Sequence, residues 1–158
     1  MSRAKTLSAV LAFYAGDAAV KKYMVHHLEK GEEKSVLGGK AVLHRLENPG
    51  AAMGFGKEHQ RLLNISTGTM LGVLGVRLFQ MDKRPGRAME KTALVLLLAG
   101  GLGNLTDRVC QGYVDDYVRI PCKQEKLSRV VFNLADVFVA AGAGLSVISA
   151  LRNETDAK

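Results

Sequence analysis

Two acidic stretches near the C-terminal end hold the side chains best placed for chemistry. Residues 103–118 read GNLTDRVCQGYVDDYV and residues 132–136 read FNLAD. Each adjoins an uncharged, apolar, helix-like run. A carboxylate beside a membrane-type segment is costly to place and marks a functional position. If the two runs pack as antiparallel helices, Asp115 or Asp116 comes within reach of Asp136. Two carboxylates held close cannot both ionise easily, so one pKa rises and one falls. The ionised member can activate water and the protonated one can polarise a carbonyl, the chemistry of an aspartic dyad. Spacing alone does not select the dyad over a structural network of acids, where perturbed carboxylates also occur.

Further polar residues cluster at helical spacing. Asn104, Asp107 and Arg108 share one helix face and offer an amide, a carboxylate and a guanidinium; as structure alone, they are a polar helix end. Asn133 opens the run that holds Asp136. Asp17 and Lys21 are four apart, the spacing of an ion pair along one helix. Asn48 begins NPGAAMGF, whose small residues permit close backbone approach or simply a turn.

These groups must be positioned by apolar segments, of which there are four: about 6–24, 62–81, 91–106 and 132–151. They are rich in Leu, Ala, Val and Gly, lack strict alternation, and exceed strand length, so they are expected to be helices. Their strictly charge-free runs are 11 to 15 residues, short of the roughly 20 that a bilayer-spanning helix needs. Mean hydropathy is only +0.05. Hydropathy alone therefore leaves both a soluble helical bundle and a small membrane protein open. If the charges at the segment ends are functional, the spans reach the required length.

The external loop, about 25–61, mixes β-prone residues with Gly and Pro over 35–55, so short strands are expected there. Arg3 and Lys5 precede an apolar run, but Asp17 and Lys21 interrupt it where a cleavage site would fall, which predicts a retained first helix. Residues 1–5, 82–91 and 152–158 hold 8 Lys+Arg in 22 positions, against 13 in the 67 of the two longer connections, 18–61 and 107–129. The denser side is the inside. Both termini are then cytoplasmic and both longer loops external.

The chain has 158 residues, favouring one domain. It carries 22 Lys+Arg against 15 Asp+Glu, a net +7. The basic residues are dispersed and no base-reading motif occurs, which argues against nucleic acid. Cys110 and Cys122, with His26, His27, His44 and His59, do not form a zinc pattern, and the thiols are expected to be unpaired.

The motifs, taken in order, resemble those of bacterial lipoprotein signal peptidase, the type II signal peptidase, over nearly the whole length. DAAVK (17–21) resembles D-x-x-x-K of that family's first helix. NPGAAMGF (48–55) resembles N-x-G-A-A-F, and GNLTDR (103–108) is similar to G-N-x-x-D-R. GYVDDY (112–117) resembles G-x-V-x-D followed by Phe or Tyr, and FNLAD (132–136) matches F-N-x-A-D.

The resemblance implies a mainly α protein with four transmembrane helices and a small external β-rich segment after the first. It implies an aspartic endopeptidase that cleaves diacylglyceryl-modified prolipoproteins before the lipidated cysteine, without metal or other cofactor. Asp116 and Asp136 would be catalytic. Asn48, Asn104, Arg108 and Asn133 would line the substrate site, with Asp17, Lys21 and Asp107 in support. The expected setting is the bacterial cytoplasmic membrane, with the site near its outer face. Membrane lipids are expected partners, nucleic acid is not, and the expected state is a monomer. The departures are Asp115 beside the dyad, Met53 where the family favours Phe, and a basic loop over 119–129. Asp115 is expected either to raise the pKa of its neighbour or to face water. The competing reading is an inactive lipopeptide binder on the same scaffold.

Overall fold

The computed structural model describes residues 3–50, 57–81 and 87–155. Four long helices are present: α1 (Arg3–His27), α2 (Gln60–Met81), α3 (Ala88–Gln111) and α5 (Leu134–Thr155), with a single-turn α4 (Glu125–Ser128) before the last. All begin or end within about five residues of the apolar segments. The overruns are polar: α1 continues through Lys21 and Lys22 to His27, and α3 through Arg108 to Gln111.

These helices have the surface of membrane segments rather than of a soluble bundle. On α2, Leu62, Ile65, Met70, Val73, Val76 and Phe79 are all exposed, while only Leu71, Leu78 and Met81 are buried. Apolar residues around the whole circumference are stable where the surroundings are as apolar as the core. Among the described residues, three helices are long and apolar enough to cross a membrane: α2, α3 and residues 134–152 of α5. The expected fourth, α1, has the length but carries Asp17, Lys21 and Lys22, and by composition it is not among them.

Helix α3 is the hub, lying against α1, α2 and α5. Its approach to α5 depends on missing side chains. A Cβ on Gly100 would sit 2.4 Å from the Ala135 carbonyl, and one on Gly142 would sit 2.8 Å from that of Ala93. Small residues at such crossings let backbones pack closely in lipid, where burying apolar surface supplies little drive.

At one end of the helices lies an antiparallel sheet in the order β1 (Glu33–Val36), β2 (Ala41–Asn48), β3 (Val114–Arg119) and β4 (Val131–Phe132). The expected strands after the first helix are there, but half of the sheet comes from the α3–α5 connection. Asp115 and Asp116 therefore lie on a strand, not on a helix end. Gly112 makes this possible. Its φ of +86° ends α3 in the left-handed conformation, with its N–H donating to the Arg108 carbonyl at 3.1 Å, and β3 begins two residues later.

Candidate active site

The α5 N-terminus organises the site. The first N–H groups of a helix lack intrahelical acceptors and must find others. Asn133 is the N-cap: its Oδ1 accepts the Asp136 N–H at 3.0 Å, and Asp136 Oδ2 accepts the Asn133 N–H at 3.0 Å. This is a reciprocal capping box built from Asn and Asp. The Leu134 N–H donates to the Tyr117 hydroxyl oxygen at 3.0 Å, and the Ala135 N–H to Asp17 Oδ1 at 2.9 Å. Each exposed donor of the first turn is thus assigned to a named side chain, and Asp136 sits where the helix dipole favours an anion.

Amide side chains connect the two acids. Asn133 Nδ2 donates to Asp116 Oδ1 at 2.7 Å and lies 3.2 Å from Asn104 Oδ1. Asn104 Nδ2 donates to Asp136 Oδ1 at 2.8 Å. Asn48 Nδ2 donates to Asp116 Oδ2 at 3.0 Å, while its own Oδ1 accepts the Gly50 N–H at 3.0 Å. Arg108 clamps the same turn, donating from Nε and Nη2 to the Gly50 carbonyl at 3.1 and 2.6 Å. Gln60, at the start of α2, also donates to the carbonyls of Pro49 and Gly112.

A third layer stands behind these amides. The Lys21 ammonium meets Asp17 Oδ2 at 2.8 Å, Asp107 Oδ2 at 2.7 Å and Asn104 Oδ1 at 3.0 Å. Two carboxylates and an amide oxygen surround it, which is how a cation can be held at 5% exposure. Gly103 admits this cluster, since a Cβ there would lie 2.6 Å from Asp17 Oδ2.

Asn48, Asn104, Arg108, Asp116 and Asp136 line one cleft of about 310 Å³, whose other wall is Val130, Val131, Phe132, Val139, Ala140 and Ala143. Burial pushes the Asp116 carboxyl up to about 7; the amide donors Asn48 and Asn133 hold it down in part, and the Asp136 charge raises it. Burial likewise pushes the Tyr117 phenol up to about 12, keeping it neutral.

All nine expected site residues thus meet in one region: Asn48, Asn104 and Asn133 bond Asp116 or Asp136, Lys21 bonds Asn104, Asp17 and Asp107 pair with Lys21, and Arg108 holds the Gly50 turn beside them. Asp107 turns away from the cleft to Lys21. Asp115 neither faces water nor joins the cleft. Successive strand residues point to opposite faces, and Asp115 is held by Arg45 Nε at 3.2 Å and Gln111 Nε2 at 3.3 Å, at 6% exposure. Tyr117, Arg45 and Gln60 were not foreseen. The Tyr117 contact needs β3 to pair beside α5, which no local spacing announces. Residues 51–56, including Met53, lie outside the described residues. Cys110 and Cys122 are free and exposed. Among the described residues, no cluster of three His, Cys, Asp or Glu side chains could hold a metal ion.

The profile described as "Signal peptidase (SPase) II" matches residues 9–152. Lipoprotein signal peptidases of Streptococcus pneumoniae and Clostridium tetani are 30% and 32% identical, over 92% and 87% of this chain and 91% and 86% of theirs. That of Leifsonia xyli subsp. xyli is 34% identical over 90% of this chain, which spans 64% of that longer relative. Two solved structures, each described as a bacterial membrane enzyme, share the fold. One has TM-score 0.82 at 23% identity, covering 99% of this chain and 93% of its own; the other has 0.74 at 22%, covering 94% of each. With the profile spanning all four long helices and both acid-bearing motifs, the chain belongs to the signal peptidase II family.

Proposed function

We propose that this chain is a membrane aspartic endopeptidase that removes the signal peptide from diacylglyceryl-modified prolipoproteins, cleaving before the lipidated cysteine. One observation carries the reading: Asp116 and Asp136 open onto one cleft, cross-linked through Asn133 and Asn104. Burial keeps a proton on Asp116 up to about pH 7, while Asp136 lies at a helix N-terminus that favours an anion. Asp136 takes a proton from water as the water oxygen attacks the scissile carbonyl carbon. Asp116 gives its proton to the carbonyl oxygen, completing a tetrahedral diol. Collapse re-forms the carbonyl as one diol hydroxyl returns its proton to Asp116; the C–N bond breaks, and the proton on Asp136 passes to the leaving nitrogen.

The remaining groups take supporting roles. Asn48, Asn104, Arg108 and Asn133 fix the acids and the substrate backbone. Asp17, Lys21 and Asp107 fix those residues in turn. The apolar wall from Val130 to Ala143 suits the substrate's acyl chains. In this reading the protein is one domain (1–158) and a monomer, and α1 is a fourth span whose charges are neutralised within the bundle. Its termini face the cytoplasm and the cleft lies near the outer face of the cytoplasmic membrane, where lipid and water are both at hand.

The test is cleavage of a diacylglyceryl-modified prolipoprotein by purified protein. Asp116→Asn and Asp136→Asn should each lower turnover at least about a thousandfold, with unchanged unfolding temperature or better. If folded wild type binds the lipopeptide and never cleaves it, the protein is a binder and the proposal fails.

A further inference from the structure

Three of the four long helices send side chains into the network around the dyad: Asp17 and Lys21 from α1, Asn104 and Arg108 from α3, Asn133 and Asp136 from α5. α2 supplies no residue to the lining of the cleft. Among the described residues, its hydrogen-bonded link to the site is Gln60, the first residue of the helix.

Gln60 sits where the β2–β3 ladder runs out. Asn48, the last residue of β2, lies opposite Val114, the first of β3. The next pair in this antiparallel register would be Pro49 and Tyr113, and a proline has no N–H to give. There the Gln60 side-chain amide takes over. Its Nε2 donates to the Pro49 carbonyl at 3.3 Å on one side and to the Gly112 carbonyl on the other. One amide NH2 carries two donors, so a single side chain serves both strands. The end of β2 needs holding because Asn48 works on the diagonal. Asp116 lies opposite Leu46, not Asn48, so Asn48 Nδ2 crosses to Asp116 Oδ2, at 3.0 Å, from two positions along. Diagonal neighbours stand about 7–8 Å apart, and a bond over that reach tolerates little drift of the strand end. Arg108 holds the same turn from α3 through the Gly50 carbonyl. Gln60 holds it from α2 and ties it to the start of the strand that carries Asp116.

We propose that Gln60 is a positioning residue for the peptidase reaction: by stapling the turn after β2 to the start of β3, it keeps Asn48 aligned with Asp116. Its own hydrogen bonds go to neither acid, so it acts through Asn48. The inference rests on the function proposed above.

Gln60→Met keeps the length of the side chain and removes both donors. Gln60 is half-buried at a helix start, so the variant is expected to fold. The charged groups that face Asp116 are Asp136 from α5, Lys21 from α1 and Arg108 from α3, and a neutral substitution leaves all three in place. The Asn48 amide favours the Asp116 carboxylate. A displaced Asn48 therefore lets the Asp116 proton persist to higher pH, and turnover with it. Cleavage of diacylglyceryl-modified prolipoprotein by the full chain, followed across pH, should show kcat lowered about tenfold at unchanged KM. The basic limb of kcat should move up by about 0.5–1 pH unit, the shift expected from one neutral hydrogen bond. Asn48→Ala should move the limb at least as far, and adding Gln60→Met to it should move it no further. Gln60→Ala should repeat Gln60→Met, which separates the lost donors from any effect of the Met side chain. A limb that stays in place in both Gln60 variants, or that moves additively with Asn48→Ala, overturns the role, whatever happens to the unfolding temperature. The two readings fail differently. An active wild type with an unmoved limb in the variants sinks only the role of Gln60, whereas a folded wild type that never cleaves sinks the peptidase reading and this role with it.

Discussion

The two ends of the helix bundle solve opposite problems. At the sheet end, charged and amide side chains are buried: Asp17 and Asn133 are 1% exposed and Asp116 is 3%. Each is held by named donors or acceptors from elements far apart in sequence. Toward the other end, side chains are apolar and outward: Leu7, Val73, Val76, Phe79 and Val147 are half exposed or more. The sheet end resembles a protein core made of polar groups, and the other an apolar surface meant for an apolar solvent. Precision is thus concentrated where charges must be compensated one by one, because a misplaced buried charge costs far more than a misplaced methyl. Substitutions should divide the molecule along the same line.

The largest effect on stability is expected at Lys21. Lys21→Met removes the cation between Asp17 and Asp107 and strips a donor from Asn104. Two acids are left without their counter-charge, a loss of about 3–5 kcal/mol, measured by unfolding in detergent. Asp17→Asn in the same chain should recover part of it. A loss near zero would mean that the cluster is solvated and that the sheet end is not the polar core described above.

The pH dependence of Asp116 comes next. Its folded pKa is raised, so the folded state holds this proton more tightly than the unfolded chain. The resulting stabilisation is complete below the ordinary carboxyl value of 3.8 and is lost as pH rises through about 7. The span corresponds to about 4 kcal/mol at most. Wild type should therefore unfold more easily at pH 8 than at pH 5, and Asp116→Asn should flatten that slope. Turnover should fall over the same basic limb, with apparent values that belong to the pair. A profile that rises through pH 7 would reverse the roles given to the two acids.

What was legible in the sequence follows from how local each feature is. The helices could be read because membrane-facing segments are apolar on every side, and the Asp17–Lys21 pair because it lies within one helix. The Asn133–Asp136 capping box is equally local, and its spacing alone is a helix-start signal. Strand β3 could not be read. Residues 114–119 pair with β2, about 70 positions earlier, and the acids there were expected on a helix end. Asp17 as an acceptor for α5 was hidden for the same reason, since its partner Ala135 is 118 positions away. α1 is the converse case: its charges make it too polar to count as a span by composition, and the pairing of Lys21 with Asp17 and Asp107 that neutralises part of that charge draws on α3 as well.

A smaller effect is expected from the neighbour of the dyad acid. Asp115→Asn weakens the contacts with Arg45 and Gln111 on the far face of β3. The expected loss is about 1–2 kcal/mol of stability, with most of the turnover kept. Matched assays of Asp115→Asn and Asp116→Asn decide the point. Equal loss of cleavage in both would mean that the strand's faces are assigned the wrong way round.

The smallest effect should come from the apolar end. Val73 is 64% exposed on α2, and Val73→Ala removes two methyl groups that face outward. If lipid surrounds them, the variant exchanges protein–lipid contact for lipid–lipid contact, and no cavity forms. Stability should change by less than about 0.5 kcal/mol, with unaltered cleavage. A loss of about 2 kcal/mol or more would resemble a core truncation. It would mean that another surface, such as a second copy of the chain, covers α2 in the membrane. Such a result would contradict the proposed monomer and move this face from the solvent-like side of the comparison to the packed side.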